Sequence, residues 1–160
     1  MGLSDAEMDR HIAYDVGAAG VSVRLGELLD APVIMSNFSR LVIDPNRGED
    51  DPTLVMKLYD GTLIPGNRHI TEQDFNWRLE NCYLPYHRAY AQLVASRQNP
   101  VIVAIHSFTP QLAGRPKRPW QIGILFADDR RLSDPLIAAL RNTPDLCVGE
   151  NEPYGGHLTG

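Results

Sequence analysis

The sequence predicts an α/β protein with three layers, a mainly parallel or mixed sheet flanked by helices. Three observations lead there. Helical periodicities alternate with short segments at 33–35, 101–105 and 121–127, the first two wholly apolar, and strands apolar on both faces are the kind that parallel sheets bury. No apolar run approaches the ~20 residues a bilayer demands. At 160 residues, 43% hydrophobic and 22% charged, the chain has an ordinary globular composition and suits one domain over 1–160.

Each element has its own warrant. Ser4 with Glu7 reads as a capping box opening a helix. Met8, Ile12, Ala19, Leu25, Leu28 and Leu29 supply its buried stripe, while Gly17 and Gly20 allow close packing or a short break. Pro32 stops the helix, and 33–35 is the first strand. From 38 to 67 turn signals crowd together (Asp44-Pro45-Asn46-Arg47-Gly48, Asp51-Pro52, Asp60-Gly61, Pro65-Gly66). Leu41, Ile43, Leu54, Leu58, Leu63 and Ile64 argue that this stretch is packed. Thr71 caps a second long helix to about Gln98, kinked at Pro85. Strands at 101–105 and 121–127 flank a Gly/Pro/basic loop. Ser133-Asp134-Pro135 opens a last helix through Leu140, and 147–148 is a fourth short strand.

Composition excludes several function classes. Fifteen basic against twenty acidic residues leave a net charge of −5. Arg115, Lys117 and Arg118 form only a short cluster broken by prolines, so nucleic acid is not expected as a partner. No membrane partner is expected either. Residues 2–10 are too polar for a signal peptide, and two cysteines are too few for a disulfide scaffold or a structural zinc site. The expected compartment is the cytoplasm. There is no G-x-S-x-G elbow, no G-x-G-x-x-G and no Walker loop. A serine hydrolase and a nucleotide enzyme are therefore disfavoured.

Among residues that carry chemistry, His106 follows five apolar residues. That puts it at the carboxyl end of a buried strand, where open α/β sheets place ligands. Ser107 and Thr109-Pro110-Gln111 add a polar lip. The plainer alternative is a hydrogen-bonded histidine closing a strand. In Asp44-Pro45-Asn46-Arg47 a proline-containing turn can aim Asn46 and Arg47 at one point, and an arginine fork with an amide suits a carboxylate. The alternative is an ordinary surface turn. Arg40 can add a second positive group. His69 and Glu72 have the spacing of metal ligands but read as a chance pattern, with Glu72 complementing a helix dipole. His87 reads as a core or rim histidine, and His157 has no readable role. His11 and Asp15, four apart, share a helix face. A carboxylate at Asp15 needs a metal, an arginine or a helix N-terminus as partner.

Taken in order, the segment Phe38-Ser39-Arg40-Leu41-Val42-Ile43-Asp44-Pro45-Asn46-Arg47, the segment Tyr83-Leu84-Pro85-Tyr86-His87 and Ile105-His106-Ser107-Phe108 resemble the N-formylglutamate amidohydrolase family. That family is similar in turn to the zinc carboxypeptidases and aspartoacylases. The resemblance implies a phosphorylase/hydrolase-like α/β fold and zinc-assisted hydrolysis of an N-acyl amino acid, a small-molecule substrate such as N-formylglutamate. It implies that His106 and Asp15 bind the metal, and that Asn46 and Arg47, with Ser107 beside them, hold the substrate. Arg40 would steady the oxyanion, and Asp44 would orient a ligand histidine from behind. The family's histidine-bearing loop before the first helix and its glutamate strand near the C-terminus have no counterpart here. The chain is thus expected to be an incomplete domain, poor in catalysis alone, weak for zinc and inclined to homo-oligomerise. The alternative function is a non-catalytic module that captures small carboxylates.

Overall fold

A computed structural model describes residues 1–155, so His157 lies outside the described residues. The chain falls into two compact units, the first Met1–Phe108 and the second beginning at Thr109. Helices and small sheets are mixed, as an α/β class requires. The sheets are only two-stranded among the described residues, one antiparallel and one parallel.

The first unit opens with α1 (Asp5–Met8), whose Ser4–Glu7 capping box forms as expected. The helix does not continue. Turns carry the chain through Ile12 and Ala13, both buried, and α2 (Ala18–Leu29) begins only after Gly17 at φ 78°. A left-handed residue cannot sit inside a helix, and glycine enters that region without steric cost. Asp30 ends α2, also left-handed at φ 48°, and Ala31 N–H returns to the Gly26 carbonyl at 2.9 Å. Val33 then folds back over α2: a Cβ on Gly26 would stand 2.5 Å from its Cγ2. The expected strand at 33–35 forms no ladder among the described residues, and Val33 lies against Gly26 of the helix instead.

The turn-rich stretch is the core of the unit. Leu41, Ile43, Leu54 and Ile64 are at most 1% exposed. Asp60-Gly61, both at positive φ, join β1 (Leu58–Tyr59) to β2 (Thr62–Leu63) in an antiparallel hairpin, the backbone such two-residue turns need. Within α3 (Pro65–Arg68), Asn67 is wholly buried. Its Nδ2 donates to the Leu41 and Met56 carbonyls at 2.8 and 2.7 Å, and its Oδ1 accepts from Arg78 at 2.7 Å.

Thr71 caps α4 (Glu72–Arg78) as expected. The single kinked helix resolves into α4, a π-turn (Leu79–Tyr83) and α5 (Leu84–Ala95). Proline lacks the N–H for an i−4 bond and its ring crowds that carbonyl. The wider turn just before Pro85, closed by Leu84 N–H to the Leu79 carbonyl, takes up the misfit. The expected strand at 101–105 has no ladder among the described residues, and Val101, Ile102 and Val103 are exposed. An apolar pattern marks a strand as buried only where another strand stands beside it.

In the second unit, β3 (Ile122–Ile124) pairs in parallel with β4 (Val148–Glu150), which confirms both C-terminal strands in shorter or shifted form. Asn151 ends the pairing by donating to the Ile124 carbonyl and accepting from Phe126 N–H, both at 2.9 Å. The connecting α6 (Ser133–Arg141) lies where expected.

Candidate functional site

The site is built in the first unit around Asp44, which follows buried Ile43 and is itself 2% exposed. A carboxylate there must have its oxygens satisfied. Oδ2 accepts from Arg40 Nη2 at 2.6 Å and Nε at 3.2 Å, and Oδ1 accepts from the Asn46 backbone N–H at 3.0 Å. The last bond is an Asx turn, which fixes the direction of the Asn46-Arg47 pair. Asp44 N–H donates to Leu54 O at 2.8 Å, anchoring the turn to the core.

Arg40 extends the arrangement. Its Nη1 lies 3.7 Å from Asp15 Oδ1, and its guanidinium carbon stands 5.4 Å from the Tyr59 ring centroid. Burial works against the guanidinium charge, but Asp44, by charge and hydrogen bond, outweighs it and holds the proton more tightly than usual. Asp15 Oδ2 is 2.6 Å from His106 Nδ1, across 91 residues of sequence. The hydrogen bond to Asp15 raises the His106 pKa against burial and the Arg40 charge. Burial pushes the Asp15 carboxyl up. The His106 bond and charge, the Arg40 charge and the Ser107 backbone N–H together bring it below its ordinary value.

Arg47 closes the series. Its Nε is 3.9 Å from Asp44 Oδ2 and its Nη1 3.8 Å from Asp51 Oδ2, both beyond hydrogen-bond length. Nε is buried without a hydrogen-bond partner, whereas the Arg47 carbonyl accepts from Tyr83 OH at 2.7 Å. An imidazole, a carboxylate, a guanidinium, a second carboxylate and a second guanidinium thus stand in line: His106, Asp15, Arg40, Asp44, Arg47. Acidic and basic groups alternate along it, and the charged forms of His106, Asp15 and Arg40 are each favoured by their neighbours. His106 is half exposed and Nδ1 is engaged, which leaves Nε2 as its open ring nitrogen. Asn46 is exposed beside Arg47.

The structure brings together Asp15, Arg40, Asp44, Asn46, Arg47 and His106, with the Ser107 backbone beside them, whereas His11, His69, Glu72 and His87 have other surroundings. Among the described residues the Asp44 side chain has Arg40, the Asn46 backbone and Arg47 as its partners. The carboxylate that orients a histidine is Asp15, a role metal-site histidines commonly need. Ser107 reaches Asp15 through its backbone. His11 does not share a helix face with Asp15; its Nε2 lies 3.4 Å from Asp60 Oδ2, on the hairpin turn. His69 ends α3 and Glu72 lies in the first turn of α4. His87 packs its ring on Tyr83 and Tyr86. Among the described residues no three His, Cys, Asp or Glu side chains are grouped to hold a metal ion. A catalytic zinc usually takes three protein ligands, so these residues do not complete such a site. Sequence reasoning missed Tyr59, Asn67 and Arg78. Nothing local marks them, because their partners lie 11 to 36 residues away or across the fold.

Comparison with known proteins adds two findings. The family model for N-formylglutamate amidohydrolase matches residues 1–160. The crystal structure of a gene product from Agrobacterium tumefaciens is similar, with 37% sequence identity and a TM-score of 0.89 over 96% of this chain. This chain spans 62% of that protein's length. No curated protein matches.

Proposed function

The chain belongs to the N-formylglutamate amidohydrolase family, and on that premise we propose that it serves the hydrolysis of the amide bond of an N-acyl amino acid. N-formylglutamate is the substrate the family name suggests. The observation that carries the proposal is the unbroken line from His106 to Arg47. A carboxylate-seeking guanidinium stands at one end and an imidazole with a free nitrogen at the other. Arg47, with an unpartnered Nε, and the exposed Asn46 receive a substrate carboxylate. Arg40, held by Asp44 and Asp15, presents positive charge to the oxygen that becomes an oxyanion as water adds to the acyl carbon. The carbon–nitrogen bond then breaks and the amine leaves with a proton. His106, oriented through Nδ1 by Asp15, is the group placed to hold and return a proton at Nε2.

Family resemblance implies zinc, which when bound lowers the pKa of its water toward ~7. The described residues supply no group of three, and His106 Nε2, the one ligand they offer, would hold either the metal or the proton but not both. The test is formate release from N-formyl-L-glutamate, with and without prior chelation and with zinc added back. Release that chelation abolishes and zinc restores supports a metal-dependent amidohydrolase. Undiminished turnover after chelation refutes the metal requirement. The second reading, a non-catalytic carboxylate-binding module, rests on the unpartnered Arg47 Nε together with the incomplete donor set. Calorimetric binding of N-formyl-L-glutamate to metal-free protein, with no formate released, would favour it.

A further inference from the structure

Arg78 and Tyr83 lie five residues apart at the two ends of the π-turn, and both reach the 42–47 segment. Arg78 Nη1 donates to Val42 O at 2.9 Å, and Tyr83 OH donates to Arg47 O at 2.7 Å. In an unbroken α-helix five residues turn through about 500°, leaving their side chains ~140° apart on different faces. The i→i+5 closure of a π-turn brings the fifth residue back towards the first, so both donors address one segment. Tyr83 is 5% exposed, and its ring lies 4.2 Å from that of His87, centroid to centroid. Burial, with the charges of Glu49, Asp44 and Asp50 added, keeps the phenol protonated and hence a donor.

We propose that Tyr83, carried round by the π-turn, is a positioning residue that sets where the Arg47 side chain stands to receive the substrate carboxylate. The inference rests on the reading of Arg47 given above. Asp44 holds the near side of the turn, through Asn46 N–H at 3.0 Å and through its own carbonyl to Arg47 N–H at 3.1 Å. Tyr83 holds the far side through the Arg47 carbonyl. The guanidinium itself has no short bond to hold it, since its ion pairs are 3.8 and 3.9 Å long. Where Arg47 points is therefore decided by its backbone, and Tyr83 fixes the half that Asp44 leaves free.

The test is Tyr83→Phe in the full chain, which deletes the donor and keeps the ring packed on His87. Two readouts are taken. One is the Kd of N-formyl-L-glutamate, with KM and kcat wherever turnover is seen. The other is amide hydrogen exchange over Asn46, Arg47 and Gly48. The expected result is a Kd and KM raised about tenfold with kcat within about twofold, and faster exchange confined to those three amides. An unchanged Kd alongside a wild-type protein that binds would overturn the inference, as would exchange accelerated across the whole unit. If the wild type itself binds no N-formyl-L-glutamate, the carboxylate reading of Arg47 fails and this inference with it. Local exchange in the variant would then show a clamp of purely structural use.

Discussion

Replacing Asp44 by asparagine keeps the shape of the side chain and removes its charge. The native carboxylate is 2% exposed and accepts three N–H bonds, two from Arg40 on one oxygen and one from Asn46 on the other. An amide has a single accepting oxygen, so it serves Arg40 or Asn46 but not both, and turns its own N–H₂ toward a donor. Removing one partner of a buried ion pair costs about 3–5 kcal/mol. Arg40 is a fifth exposed and keeps Asp15 at 3.7 Å and the face of Tyr59, so water and these neighbours recover part of the loss. The low end applies, about 3 kcal/mol, which is a large share of a typical ~5–15 kcal/mol stability. With a urea slope near ~2 kcal/mol per molar, the unfolding midpoint falls by roughly 1.5 M while the slope holds. The double variant Asp44→Leu with Arg40→Met replaces the pair by apolar groups of similar size. It should regain all but about 1 kcal/mol, the remainder being the orphaned Asn46 N–H. Equilibrium urea unfolding followed by circular dichroism measures both. A loss under about 1 kcal/mol for Asp44→Asn would refute the reasoning, because the carboxylate would then be hydrated rather than paired.

Asp15→Asn should lower the His106 pKa, read by NMR titration of its ring protons, since the Asp15 hydrogen bond is the main cause of the upward shift. In the wild type the raised His106 pKa adds stability that is complete below the unfolded value of ~6.5 and lost as pH rises through the folded one. The lowered Asp15 pKa adds stability that is complete above ~3.9 and lost as pH falls through its folded value. The pair therefore contributes most between about pH 4 and 6.5, and Asp15→Asn should flatten the stability–pH curve there; an unaltered curve would count against the pairing. Asn67→Leu should cost about 3 kcal/mol by thermal or urea unfolding, because it strands two buried carbonyls and one bond to Arg78. A variant as stable as the wild type would show that water reaches the Leu41 and Met56 carbonyls.

What the sequence revealed of the fold divides by the range of the interaction. Local signals held: the Ser4 capping box, the Thr71 cap, the Asp60-Gly61 turn and the start of α6 at Ser133 form where they were expected. Each depends on residues a few positions apart. Signals that need a distant partner did not hold. The segments at 33–35 and 101–105 have the apolar run of a buried strand, but no sequence pattern names the strand that would lie beside them. Val33 instead found Gly26, seven residues back, where the missing Cβ leaves room for it. Likewise Pro85 predicted a disturbance in the helix, but whether it becomes a kink or a π-turn depends on what the helix packs against. Here Arg78 and Tyr83 both have partners in the 42–47 segment.

The candidate site was legible as a set of residues and illegible as a set of contacts. His106, Asp15, Arg40, Asp44 and Arg47 were all singled out, yet sequence cannot say which carboxylate meets which cation. Spacing favours Asp44 for Arg40, since four residues in a compact turn stay close, and that pair is 2.6 Å apart. No spacing rule links Asp15 to His106 across 91 residues. One Asp15 oxygen is bonded to Nδ1 and the other lies 3.7 Å from Arg40 Nη1. Asp15 raises the imidazole's pKa and fixes its orientation through Nδ1. Substituting Asp15 should accordingly change how His106 titrates, whereas substituting Arg47 should change what the site binds and leave that titration alone.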